Sequence, residues 1–143
     1  MSDAYETSLD AILAALVAVI KTTTSFAVYT YTDYIKEVPV GANPVCFVRV
    51  RTDRFSDIGP QLTWHLINFD IQITHGSGYG SSALNSIISY VGEVVDAIEA
   101  DRTLSTSYVE NTEVESINYD HKQTESAVFH YADIKVVVEA IRG

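Results

Sequence analysis

Ile67-Asn68-Phe69-Asp70-Ile71-Gln72-Ile73-Thr74 places an apolar side chain at every second position over eight residues. Successive side chains leave an extended backbone on opposite faces, so this period of two predicts a strand. Its dry face is Ile67, Phe69, Ile71 and Ile73, and its other face is polar. Toward the N-terminus the long strand starts at Gln61, but Leu62, Trp64 and Leu66 have the opposite parity, so the apolar face changes sides near Leu66. A bulge or a protruding arm accounts for the switch. The arm reading leaves Leu62 and Trp64 to be covered by something outside their own core.

Upstream, Val45-Cys46-Phe47-Val48-Arg49-Val50-Arg51 reads as a strand, apolar on both faces at first and then alternating with arginine. Phe55-Ser56-Asp57-Ile58-Gly59-Pro60 is rich in turn formers, so the two strands make a hairpin. Pro39, Gly41, Asn43 and Pro44 mark a loop, and Phe26 to Tyr34, aromatic and β-branched, predicts a first strand. Before it, Asp3 and Glu6 have the spacing of a capping box, in which two side chains satisfy the orphaned N–H groups of a helix start. Leu9, Ile12, Leu13, Leu16, Val17 and Ile20 then recur on one helical face, predicting an amphipathic helix from about Ala4 to Lys21, ended by Thr22-Thr23-Thr24-Ser25.

Downstream, His75-Gly76-Ser77-Gly78-Tyr79-Gly80-Ser81 is a flexible loop, and Ser81 or Ser82 caps a second helix. Leu84, Ile87, Ile88, Val91, Val95 and Ile98 give that helix one apolar face up to about Ala100, and Thr103 to Thr106 closes it. Val109 to Tyr119 and Ser126 to Ile141 read as a second hairpin across Asp120-His121-Lys122-Gln123-Thr124. The order α-β-β-β-α-β-β predicts an α+β domain, with two helices packed on a mainly antiparallel sheet and a protruding β-hairpin. With 143 residues, the chain is read as a single domain over positions 1–143.

A net charge of −10 excludes binding nucleic acid or an anionic membrane through a basic face, because phosphate contacts need clustered Lys and Arg. Cys46 is the sole cysteine, so neither an intrachain disulfide nor a cysteine-based zinc site can be completed. The acidic start, Met1 to Glu6, is unlike a secretory signal, and the apolar run Ala11 to Ile20 is too short to span a bilayer. A soluble protein of a reducing compartment is expected.

Chemistry is hard to place on this pattern. His65 and His75 share a strand face but lie ten residues apart, at roughly 3.3 Å per residue, so they cannot share a metal. His121 falls in the expected turn and His130 in the last strand, and all four histidines are read as structural or surface residues. The glycine-rich loop lacks the Gly-Lys-Ser/Thr ending of a phosphate-binding loop, and its glycines do not have dinucleotide-fingerprint spacing. No Gly-x-Ser-x-Gly elbow occurs either. No catalytic residue, cofactor or metal ligand is assigned, and no enzyme activity is expected. Glu110, Glu113, Glu115 and Asp120 form an acidic stretch, read as a solvated or charge-paired row. Arg49, Arg51 and Arg54 form a basic one, either a solvated edge or a row that meets the acidic row of another subunit.

The second helix ends in Ala97-Ile98-Glu99-Ala100-Asp101-Arg102-Thr103-Leu104, followed by Val114-Glu115-Ser116-Ile117-Asn118-Tyr119 and Ala132-Asp133-Ile134-Lys135-Val136-Val137-Val138. With Pro44 opening Val45 to Val50 and the short first helix, this layout resembles the tail terminators of tailed bacterial viruses over nearly the whole chain. The resemblance implies a structural virion protein: a ring of six subunits on the head-proximal end of the tail tube, ending tube growth and docking the head connector. The implied partners are a second copy of the chain, the tail tube protein and a connector or stopper protein, with DNA passing through without specific binding and no membrane contact. Its implied place is the tail or neck of the virion, assembled in the host cytoplasm. The expected contact residues are Arg49, Arg51, Arg54, Phe55, Leu62, Trp64, Glu110, Glu113 and Glu115. A stopper or tube protein is the nearer alternative. A small-molecule-binding α+β domain, lined by Tyr29, Tyr31, Trp64 or His65, is the more distant one.

Overall fold

The computed structural model describes residues 5–23, 27–30, 45–60, 62–76, 81–123 and 128–142. Within them the chain forms α1 (Tyr5–Thr23), β1 (Ala27–Thr30), β2 (Val45–Gly59), β3 (Leu62–Gly76), α2 (Ser81–Ala100), β4 (Val109–Gln123) and β5 (Val128–Arg142). The element order is the one the periodicities predict. The capping residue Asp3, the stretch Tyr31 to Pro44 and residue Thr124 lie outside the described residues.

The strands form one sheet in the order β1-β2-β3-β5-β4. β1 runs parallel to β2, and every other neighbouring pair is antiparallel. Because β5 slots between β3 and β4, those two strands run parallel to each other, joined through α2. Both helices lie on one face, where Ile12, Leu16 and Ile20 of α1 and Ile87, Val91, Val94 and Ile98 of α2 are buried. They meet Val48 of β2, Phe69 and Ile71 of β3, and Ile134 and Val136 of β5 in one core. Cys46 belongs to this core, and burial pushes its thiol up to about 12, which leaves it protonated and inert.

Three details depart from expectation. The parity switch in the long strand is not a bulge in β3, which pairs with β5 without interruption from Thr63↔Arg142 to Gly76↔Phe129. The register shift is across from it, between Val50 and Thr52 of β2, and it carries Asp53 onto the helix side opposite Ile67 and Phe55 opposite His65. The hairpin is therefore no free-standing arm: β5 flanks it as far as Thr63, Phe55 to Gly59 are strand and not turn, and the tip around Ile58 and Leu62 alone passes the end of β5. On α2 the buried stripe is rotated relative to the expected one. Val94 and Ala97 are buried, whereas Ile88 is 47% exposed. Ile88 sits about 100° around the helix from Ile87, off the centre of the stripe.

The Asp101-Arg102-Thr103-Leu104 step is a built turn. Leu104 and Ser105 take left-handed backbone angles (φ 53° and 52°), uncommon for residues with a Cβ. Asp101 holds them, accepting from the Ser105 N–H at 3.1 Å and from the Ser105 hydroxyl at 2.6 Å. The turn buries Leu104 and delivers Val109, also buried, to the start of β4.

Candidate functional site

Helices cover one side of the sheet, so its far end and open face carry the surface features. At the hairpin tip Phe55, Ile58 and Leu62 are 56%, 52% and 42% exposed. Ile58 and Leu62 lie at the very tip, while Phe55 sits behind them opposite His65 on the helix side. Large apolar side chains left this exposed are what a monomer avoids and an interface uses. Trp64 is half-buried, opposite Ile141 of β5 and Ser56 of β2 on the open face.

The basic row is only partly available. Arg49 Nη2 and Arg51 Nη1 reach Asp70 Oδ2 at 3.2 and 3.0 Å, and Asp70 is itself buried on the open face beneath them. Two of the three arginines read as reaching for a neighbour thus already hold a carboxylate of their own sheet. Arg54, opposite Leu66, makes no ion pair among the described residues. Asp133 stands beside this cluster, opposite Gln72. Burial raises its carboxyl above the usual range, a Gln72 hydrogen bond pulls it back, and the Asp70 charge raises it against the two arginines.

The acidic row lies on β4. Glu110, Glu113 and Glu115 are all exposed, but register shifts at Glu110 and Glu115 break the regular alternation. β4 ends the sheet at one side, while β2 beyond its short pairing with β1 leaves the other edge open among the described residues. β3 and β5 stand between the two rows, so at about 4.8 Å per strand they sit roughly 14 Å apart and cannot meet within one subunit. They can meet across a head-to-tail contact between copies.

Beneath the tip lies the chemistry that sequence reasoning missed. His65 is buried on the helix side, and its Nδ1 sits 3.1 and 3.2 Å from the two carboxylate oxygens of Asp53. A carboxylate only accepts, so Nδ1–H donates to Asp53. Tyr5 stacks on His65 at 6.1 Å, Phe55 meets its ring edge-on at 4.6 Å, and the Arg142 guanidinium lies 5.5 Å from the Tyr5 ring centre. Burial, followed by a hydrogen bond to Asp53, raises the Tyr5 hydroxyl above its usual value. His65 Nε2 is buried without a protein partner beside a cavity of about 10 Å³, lined by Ser8, Ile12, Tyr108 and Ala140 among others. That space suits one water molecule. Alternation could not reveal the pair, since Asp53 joins the face of His65 only through the bulge at Arg51.

Among the described residues no helix is long and apolar enough to cross a membrane. No protein-family model matches the chain, and no curated protein sequence matches it.

Proposed function

We propose that this chain is a structural virion protein, a tail terminator that closes into a ring at the head-proximal end of a tail tube, stops its growth and receives the head connector. The observation that carries the reading is the exposed apolar tip, Ile58 and Leu62 with Phe55 exposed just behind them, on a sheet whose helix side is already covered. A ring needs a heterologous interface, one patch meeting a different patch on the next copy. The tip with Arg54 at one edge and Glu110, Glu113 and Glu115 at the other supply two such patches on opposite sides of the sheet. Their opposite charges set register between copies, while burial of the tip supplies the affinity.

In this reading the partners are a second copy, the tail tube protein and a connector or stopper. A net charge of −10 suits a channel that DNA crosses without adhering, because acidic walls repel phosphate. Function then follows from geometry and not from turnover: a closed ring presents one surface to the tube and another to the head. The resemblance in layout to tail terminators supports this role, with a stopper or tube protein as the nearer alternative.

The test is sedimentation and negative-stain imaging of the purified chain, alone and mixed with tail tubes. Closed six-membered rings, free or on tube ends, are expected. A chain that stays monomeric and never decorates a tube end overturns the proposal. Trp64→Ala should weaken assembly more than it lowers the unfolding temperature of the lone subunit. One observation favours a second reading, a small-molecule site: the unpartnered His65 Nε2 facing a cavity. Room for a single water argues for hydration there and against a substrate pocket.

A further inference from the structure

The end of the sheet opposite the apolar tip brings together side chains that the sequence keeps far apart. β4 pairs His121 with His130, and β3 pairs His75 with the same His130. Directly opposed residues share a face, so three imidazoles stand in one row across three adjacent strands. His121 is exposed and His130 half-buried, and their ring centres lie 6.1 Å apart with 40° between the planes. His75 packs edge-on against Tyr90 of α2 at 5.7 Å. Asp120 and Asp133, the acids nearest in these strands, oppose Tyr131 and Gln72 on the other face, so no carboxylate among the described residues of β3, β4 and β5 competes for this row.

We infer that His121 and His130 form a two-imidazole site for a divalent transition-metal ion of the zinc, nickel and copper class. Metal–nitrogen bonds of about 2.0–2.1 Å at ligand angles of roughly 90–110° put two ligating rings with their centres ~4.5–5.2 Å apart, so a rotation of the exposed His121 that brings its ring about an ångström closer closes the chelate. Among the described residues no three His, Cys, Asp or Glu side chains converge on one point. The chelate is therefore bidentate, water fills the remaining positions, and His75, tied to Tyr90, borders the site without ligating. Imidazole without carboxylate selects against magnesium and calcium, which take oxygen ligands. A bound ion staples the edge strand β4 to β5, and it stabilises the fold by mass action because the unfolded chain does not hold the two rings together. None of this depends on ring formation.

The test is isothermal titration of the full chain, purified without a polyhistidine tag, with zinc, nickel and copper salts and with magnesium as control. One ion per chain is expected, tightest for copper, with a rise in unfolding temperature that a chelator reverses. His121→Ala removes an exposed side chain and His130→Ala a half-buried one, and each should leave the fold intact by circular dichroism. Each should weaken binding about tenfold or more, as losing one imidazole ligand demands. His75→Phe should bind as the parent does. Absence of binding, retention of it in the double variant His121→Ala/His130→Ala, equal binding of magnesium, or loss in His75→Phe as large as in His121→Ala would each overturn the assignment.

Discussion

Strand β3 carries a histidine toward each end of its helix-side face, and the two are built into opposite surroundings. His65 is buried, holds the Asp53 carboxylate at 3.1 Å and is enclosed by Tyr5 and Phe55. His75 is half-buried, lies opposite another histidine, and has its Nδ1 buried without a protein partner. Residue type, strand and face are the same. What differs is the neighbouring register: the bulge at Arg51 moves an acid beside His65, whereas unbroken pairing with β5 moves His130 beside His75. A strand supplies the direction of a side chain, and its neighbours supply the chemistry.

The largest effect that separates the two ends should come from Asp53→Ala. It leaves a buried imidazole N–H without its acceptor and should cost about 2–3 kcal/mol in urea unfolding. A loss no greater than that of a surface substitution would mean that His65 is satisfied without the acid, and the contrast between the ends would collapse. On the open face Asp70→Ala is the intermediate case. It releases Arg49 and Arg51, and because both arginines are substantially solvated the expected loss is smaller, about 1 kcal/mol. A loss equal to that of Asp53→Ala would show that the arginine pair is as strong as the buried one.

Acidification should sharpen the comparison. Burial, and then the charge of His130, hold the His75 pKa below its usual 6.5. The folded state thus binds fewer protons than the unfolded one in the window below 6.5, and stability falls as pH drops through it. His75→Phe, which keeps an aromatic edge against Tyr90, should flatten the unfolding midpoint between about pH 7 and 5 relative to the parent. An unchanged slope would place the acid sensitivity elsewhere. The smallest stability effect belongs to the tip: Ile58→Ser with Leu62→Ser should change the unfolding free energy of the subunit by no more than ~0.5 kcal/mol while abolishing rings. If stability falls substantially and assembly persists, the tip serves its own fold.

The core of β3 was legible because four alternating apolar residues admit one strand face, and α1 was legible because its stripe repeats at helical spacing. The face of α2 was blurred by Ile88, which fits an apolar pattern yet sits beside the buried stripe. Leu62 stood out through its parity, whereas Phe55 was read as part of a turn and is strand. The internal capture of Arg49 and Arg51 did not, since Asp70 lies 21 and 19 positions away and meets them only across a strand pair.

Sequence alone determined the element order, the acidic balance and the single cysteine, because periodicity, charge and composition are local or additive. Tertiary structure decided that β5 enters between β3 and β4, that bulges fall at Arg51, Glu110 and Glu115, and that His130 joins His75 to His121. Register between distant strands is selected by the total burial of a whole face, and one inserted residue reverses every side chain beyond it. No window of sequence contains that sum.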